Sequence, residues 1–149
     1  MPLPHHYHVR ASGAAQGPVS VHEDGLPTLQ TQAPPQFGGP EGFWSPETLL
    51  TAAVADCFIL SFRAVARAVR LEWESLDVDV TGLLEKAADA VRFTSFTVAP
   101  RLVISDSSAQ DVALRCLERA EQTCLVSNSL KAEVTLQPVV DVTQPSVQA

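Results

Sequence analysis

The sequence predicts an α+β fold with the element order βββ-α-ββ-α-β, a long buried central helix, and a single domain over residues 1–149. Three observations predict it. Strand-like alternation clusters in three stretches, one before the first long helical segment, one between the two helical segments, and one after the second. The helices are too few to cover both faces of a doubly wound sheet. The chain's 149 residues suffice for one domain with a sizeable core.

The elements follow in order. "YHVRAS" and "PVSVHE", within residues 7–23, read as two short strands joined near Gly13 and Gly17, and "LPTLQTQ" as a third. Residues 33–46, "APPQFGGPEGFWSP", are rich in Pro and Gly and read as a loop. The first long helix is expected from Ser45 to about Arg70. Ser45 suits the N-cap, Pro46 the first helical position, and Glu47 the positive end of the helix dipole. This helix is apolar nearly all round over its first half and needs cover on more than one side. "WESLDVDVTGLLEK" and "VRFTSFTVAPRLVIS" form a hairpin turning at "AADA". A second helix runs from about Ser108 to Cys124, with Val112, Cys116, Leu117 and Ala120 at helical spacing. The polar break "VSNS" precedes one last strand, "KAEVTLQPVVDV", and residues 143–149 form a frayed tail.

Composition narrows the function. A hydrophobic share of 46% indicates a globular chain. The net charge of −7 argues against nucleic acid and against an anionic membrane surface as partners. "MPLPHHYHVR" lacks an apolar signal core, and the apolar run 49–62 is too short to span a bilayer, so a soluble cytoplasmic protein is expected. Three cysteines, Cys57, Cys116 and Cys124, are too few and too odd for a secreted disulfide framework, and none has structural zinc spacing. Any cysteine function is therefore redox or nucleophilic, while Cys57 taken alone, in an apolar helix, reads as a small core residue. Cys116, on an apolar helix face, reads as core. Cys124, at a helix break, is where local N–H groups could lower a thiol pKa. His5, His6 and His8 lack a clear third partner for a metal site. Phe37, Phe43 and Trp44 read as packing for the loop, or as the lining of an apolar pocket.

"SPETLLTAAVADCF", with Glu47 ten residues before Cys57, followed 67 residues later by "CLVSNSL" at Cys124, resembles the OsmC/Ohr family of thiol peroxidases. The resemblance covers about residues 7–142. It implies that Cys57 is the peroxidatic thiol, Cys124 the resolving thiol and Glu47 the acid that organises the site. It also implies a hydroperoxide substrate, a small or protein-bound dithiol reductant, no metal or organic cofactor, and an intertwined homodimer with sites at the interface. Three positions depart from the family pattern. Ala15 stands where the organic-hydroperoxide branch carries an arginine, with Arg10 nearby on a different register. Asp56 stands beside Cys57, where a carboxylate opposes thiolate formation. Leu125 replaces the proline that usually follows the second cysteine. The alternative reading is a binding protein for a small apolar ligand on the same fold, with slow thiols.

Glu47 and Cys57 also predict assembly. Ten residues of straight helix separate two side chains by roughly 15 Å along the axis and about 80° around it. If both serve one site, Glu47 comes from a second copy, and Ala52, Ala53 and Ala55 permit close approach of a partner helix.

Overall fold

The computed structural model describes residues 2–143. The expected tail, apart from Thr143, lies outside these residues. The chain has two compact units, residues 1–50 and 51–149.

In the first unit, β1 (Arg10–Ser12), β2 (Val19–His22) and β3 (Leu29–Thr31) form an antiparallel sheet in that order. The ladder starts at Arg10, opposite His22, and not at Tyr7 as the sequence suggested. β2 ends at His22, which leaves residues 7–9 nothing to pair with. The loop after β3 contains a 3-10 turn at Pro35–Phe37 and is closed by the Gln32 N–H, which donates to the Trp44 carbonyl at 3.0 Å. Gly39 is required there. A Cβ on it would lie 1.7 Å from the Ala33 carbonyl oxygen.

Helix α1 spans Pro46–Ala68 and starts where the sequence indicated. The Ser45 hydroxyl accepts from the Thr48 N–H at 3.1 Å, while the Ser45 N–H donates to the Thr48 hydroxyl at 2.8 Å. This reciprocal pair satisfies two N–H groups at the helix start. The helix stops two residues earlier than expected. Arg70 adopts φ 58°, and the Leu71 N–H returns to the Ala66 carbonyl at 2.9 Å, a Schellman-type end. Val54, Phe58, Phe62 and Ala66 form its buried stripe, one every four residues. The other faces are less covered, and Leu60 is 52% exposed. By length and composition the 23-residue helix could cross a membrane, with a mean hydropathy of 1.8 over its most apolar window.

In the second unit, β4 (Ser75–Lys86) and β5 (Val91–Ile104) form the expected hairpin, turning at residues 87–90. Asp89 in that turn is held by Arg92 and by Lys131, at 3.3 and 2.7 Å. Gly82 faces Phe96 across the ladder, and a Cβ there would come within 2.7 Å of the Phe96 ring, which stacks on Phe93. Helix α2 (Gln110–Thr123) follows a 3-10 turn capped by Asp106, whose carboxylate accepts from the Ser108 N–H. The core draws on α1, on Phe96, Val98, Leu102 and Ile104 of β5, and on Ala113, Leu117 and Ala120 of α2.

Two details differ from the sequence reading. The expected last strand is two strands, β6 (Glu133–Leu136) and β7 (Val139–Val142), both parallel to β5. Pro138 divides them because it has no N–H to give to the ladder. The expected polar break after Cys124 is a one-turn helix, α3 (Leu125–Asn128).

Candidate functional site

Cys57 sits three turns into α1, half-buried, and its sulfur lies 4.0 Å from the hydroxyl of Ser61, one turn further along the same helix. Cys124 ends α2 in an extended conformation, φ −66° and ψ 112°, and by that turn becomes the N-cap of α3. The chain reversal points the first N–H groups of α3, those of Leu125 and Val126, at the Cys57 sulfur. These donors have no partner within the helix itself, and they carry the positive end of its dipole.

The two thiols therefore differ sharply. Burial alone would raise the Cys57 pKa. Hydrogen bonds from the Val126 N–H, the Cys124 thiol, the Ser61 hydroxyl and the Leu125 N–H outweigh it, and the Cys57 thiol lies below its ordinary value. Cys124 is completely buried, and its pKa is raised, first by burial and then by its hydrogen bond to Cys57 and that sulfur's charge, against the opposing pull of Ser127. Of the two, Cys57 is the thiol that gives up its proton first, and Cys124 keeps its own and donates along the S–H···S contact.

This corrects one expectation in detail. Burial raises the Cys124 pKa and outweighs the Ser127 N–H that pulls it down, while the Val126 and Leu125 N–H groups help bring the Cys57 thiol below its ordinary value. The neighbouring Asp56 is exposed, and the Cys57 thiol lies low despite it.

The structure brings Cys57 and Cys124 together within the second unit. Glu47 lies in the first unit, in the opening turn of α1, and lines a cavity of about 520 Å³ with Val19, Val21, Thr31, Phe37 and Leu49. Of Phe37, Phe43 and Trp44, all three exposed, Phe37 lines this cavity. Cys116 is buried, as its place on the apolar face of α2 suggested. His8 meets Glu23 at 3.1 Å, and Arg10 donates to the His22 ring at 3.2 Å. No group of three or more His, Cys, Asp or Glu side chains placed to hold a metal ion occurs among the described residues. The sequence reading missed Ser61 and the Val126 N–H. Ser61 was detectable by its i+4 spacing from Cys57. A backbone donor leaves no mark in residue identity.

Fold and site together define an α+β protein in which a long helix presents one activated thiol to a second thiol at a helix break. Comparison with known proteins gives that class a family. The chain belongs to the OsmC-like proteins, whose family pattern matches residues 38–138, more than half of its length. It is 26% identical over 137 residues to the uncharacterized protein YmaD of Bacillus subtilis (strain 168), covering 89% of this chain and 91% of that one. Among solved structures it is similar to an organic hydroperoxide resistance protein OsmC of Legionella pneumophila, with TM-score 0.71, 25% identity, and 91% and 98% of the two chains covered. An OsmC-like protein of unknown function from Vibrio cholerae matches with TM-score 0.75 and 23% identity over 82% of this chain and 84% of that one.

Proposed function

We propose that this protein is a thiol-dependent peroxidase that reduces organic hydroperoxides through a peroxidatic Cys57 and a resolving Cys124. The single observation that carries the reading is the asymmetry of the thiol pair. A lowered, solvent-reachable thiol is held in hydrogen-bond contact with a buried, protonated one. The similarity to an organic hydroperoxide resistance protein supports the substrate class.

The steps follow from that asymmetry. The Cys57 thiolate attacks the terminal oxygen of ROOH and the O–O bond breaks. The alkoxide leaves and takes a proton to give ROH, and Cys57 becomes the sulfenic acid. The Cys124 sulfur then attacks the sulfenic sulfur. Its own proton leaves with the sulfenic hydroxyl as water, and a Cys57–Cys124 disulfide remains. A dithiol reductant, small or protein-bound, restores both thiols and is itself oxidised to a disulfide. Thiol–disulfide exchange supplies every electron, so the cycle requires no metal or organic cofactor. The proposal includes a cytoplasmic setting, where the three free cysteines persist as thiols.

Assembly belongs to the same reading. α1 runs unbroken from Pro46 to Ala68, with Glu47 in its first turn. A homodimer with paired central helices would cover the less buried faces of the first half of α1 and bring Glu47 of one copy to the Cys57–Cys124 pair of the other, where it organises the site. Light scattering at low micromolar concentration should then give twice the 16.0 kDa chain mass. The test of function is turnover. Cys57→Ser should abolish hydroperoxide consumption, and Cys124→Ser should consume one equivalent and then accumulate oxidised Cys57. A Cys57→Ser variant as fast as the parent protein refutes the proposal.

A further inference from the structure

The second unit carries a groove of about 600 Å³ between the C-terminal half of α1 and the outer face of α2. That size is within the range of small-molecule sites. Neither Cys57 nor Cys124 lines it. Val65 is eight residues beyond Cys57 and Cys116 is eight before Cys124, each about 12 Å along its helix. The floor is apolar, made of Val65 and Val69 from α1 with Val112 and Cys116 from α2. The rim is polar and comes from α2 alone, with Arg115 and Arg119 one turn apart and Glu118 and Gln122 beside them.

The charge on this rim runs against the rest of the molecule. The chain carries a net −7, with ten Lys and Arg residues in all. Two of the ten, Arg115 and Arg119, line this groove against one acid, Glu118. Arg115 and Arg119 repel each other at i,i+4 spacing. Among the described residues neither takes part in an ion pair. The Arg115 cation also acts inside the groove. Burial pushes the Cys116 thiol up, and Arg115 pulls it part of the way back.

From this geometry we propose that the groove binds a long-chain monocarboxylate. Its alkyl chain lies on Val65, Val69, Val112 and the Cys116 sulfur, and its head group is held by Arg115 and Arg119. Two guanidinium groups a turn apart suit the two oxygens of a carboxylate. Glu118 on the same rim disfavours a dianion such as a phosphate monoester. The lining has no aromatic residue, so a nucleobase has nothing to stack on. The inference does not depend on the peroxidase reading.

Titration calorimetry with dodecanoate, below its micellar concentration, tests it on the full-length protein. The expected result is saturable binding of one dodecanoate per chain. Binding should weaken at least tenfold in the double variant Arg115→Gln/Arg119→Gln, and dodecanol, which lacks the carboxylate, should bind the parent protein at least tenfold more weakly. Both arginines are exposed, so the variant should unfold at the parent temperature by circular dichroism. Val69→Asp, at a position 52% exposed, should also lose binding because it sets a negative charge under the ligand. Absence of saturable binding overturns the proposal, as does dodecanoate binding that survives the double variant, or dodecanol binding as tightly. Failure of dodecanoate to bind, together with a Val69→Asp protein that becomes monomeric in light scattering, overturns it in favour of a contact between copies of this chain.

Discussion

Replacing Leu125 by proline perturbs the site through one backbone hydrogen. Leu125 is the first residue of α3, and its side chain is 76% exposed. The first helical position accepts proline readily. The preceding residue must avoid the helical region, and Cys124 already does so at φ −66° and ψ 112°. The stability change is therefore small. Restricting the unfolded chain contributes about 0.4–1 kcal/mol. Losing the quarter of the leucine side chain that is covered costs roughly 0.5 kcal/mol, taken from about 2 kcal/mol for complete burial. The sum is between zero and about +0.5 kcal/mol. Reactivity moves the other way, because the Leu125 N–H is one of the donors to the Cys57 sulfur. A hydrogen bond to a charged group contributes about 1.5–3 kcal/mol, and this one is the weakest of the four that lower the thiol. The Cys57 pKa should rise, and the thiolate population at neutral pH should fall by about three- to tenfold. The assay is the rate of Cys57 alkylation by iodoacetamide across pH, read by peptide mass, alongside urea unfolding. A variant of unchanged stability whose Cys57 alkylates as fast as the parent's, at every pH, would refute the reasoning that α3 activates this thiol.

The remaining predictions rest on single contacts. Gly82→Ala should destabilise the protein by about 1–3 kcal/mol in urea unfolding, since its Cβ would meet the Phe96 ring at 2.7 Å in the packed core. Arg70→Gly should stabilise it by about 1 kcal/mol, because φ 58° at the end of α1 strains any side chain, and a Tm that falls would contradict that. Jointly refolded Glu47→Ala and Cys57→Ser chains, each inactive alone, should regain part of the activity if the acid and the thiol come from different copies.

The long elements and their chemistry were legible in the sequence, while the short connections were not. Ser45, Pro46 and Glu47 announced the start of α1 because capping acts through side-chain identity. The β4–β5 hairpin was legible from its alternation. Pro138 was visible, yet the division it imposes on the last strand was not read from it. The pairing of Cys57 with Cys124 rested on resemblance to a family, since nothing local links residues 67 apart. The one-turn α3 was hidden because "LVSN" has no helical period to detect over four residues. The site's strongest attractive contribution, the Val126 N–H, was hidden for a deeper reason. Every residue but proline carries that donor, and only the path of the chain decides where it points.

Peptide mapping after one equivalent of tert-butyl hydroperoxide tests the central claim most directly. The account predicts rapid formation of a Cys57–Cys124 disulfide, release of one equivalent of tert-butanol, and Cys116 still a free thiol. A protein in which Cys57 and Cys124 remain reduced while the hydroperoxide persists would contradict it.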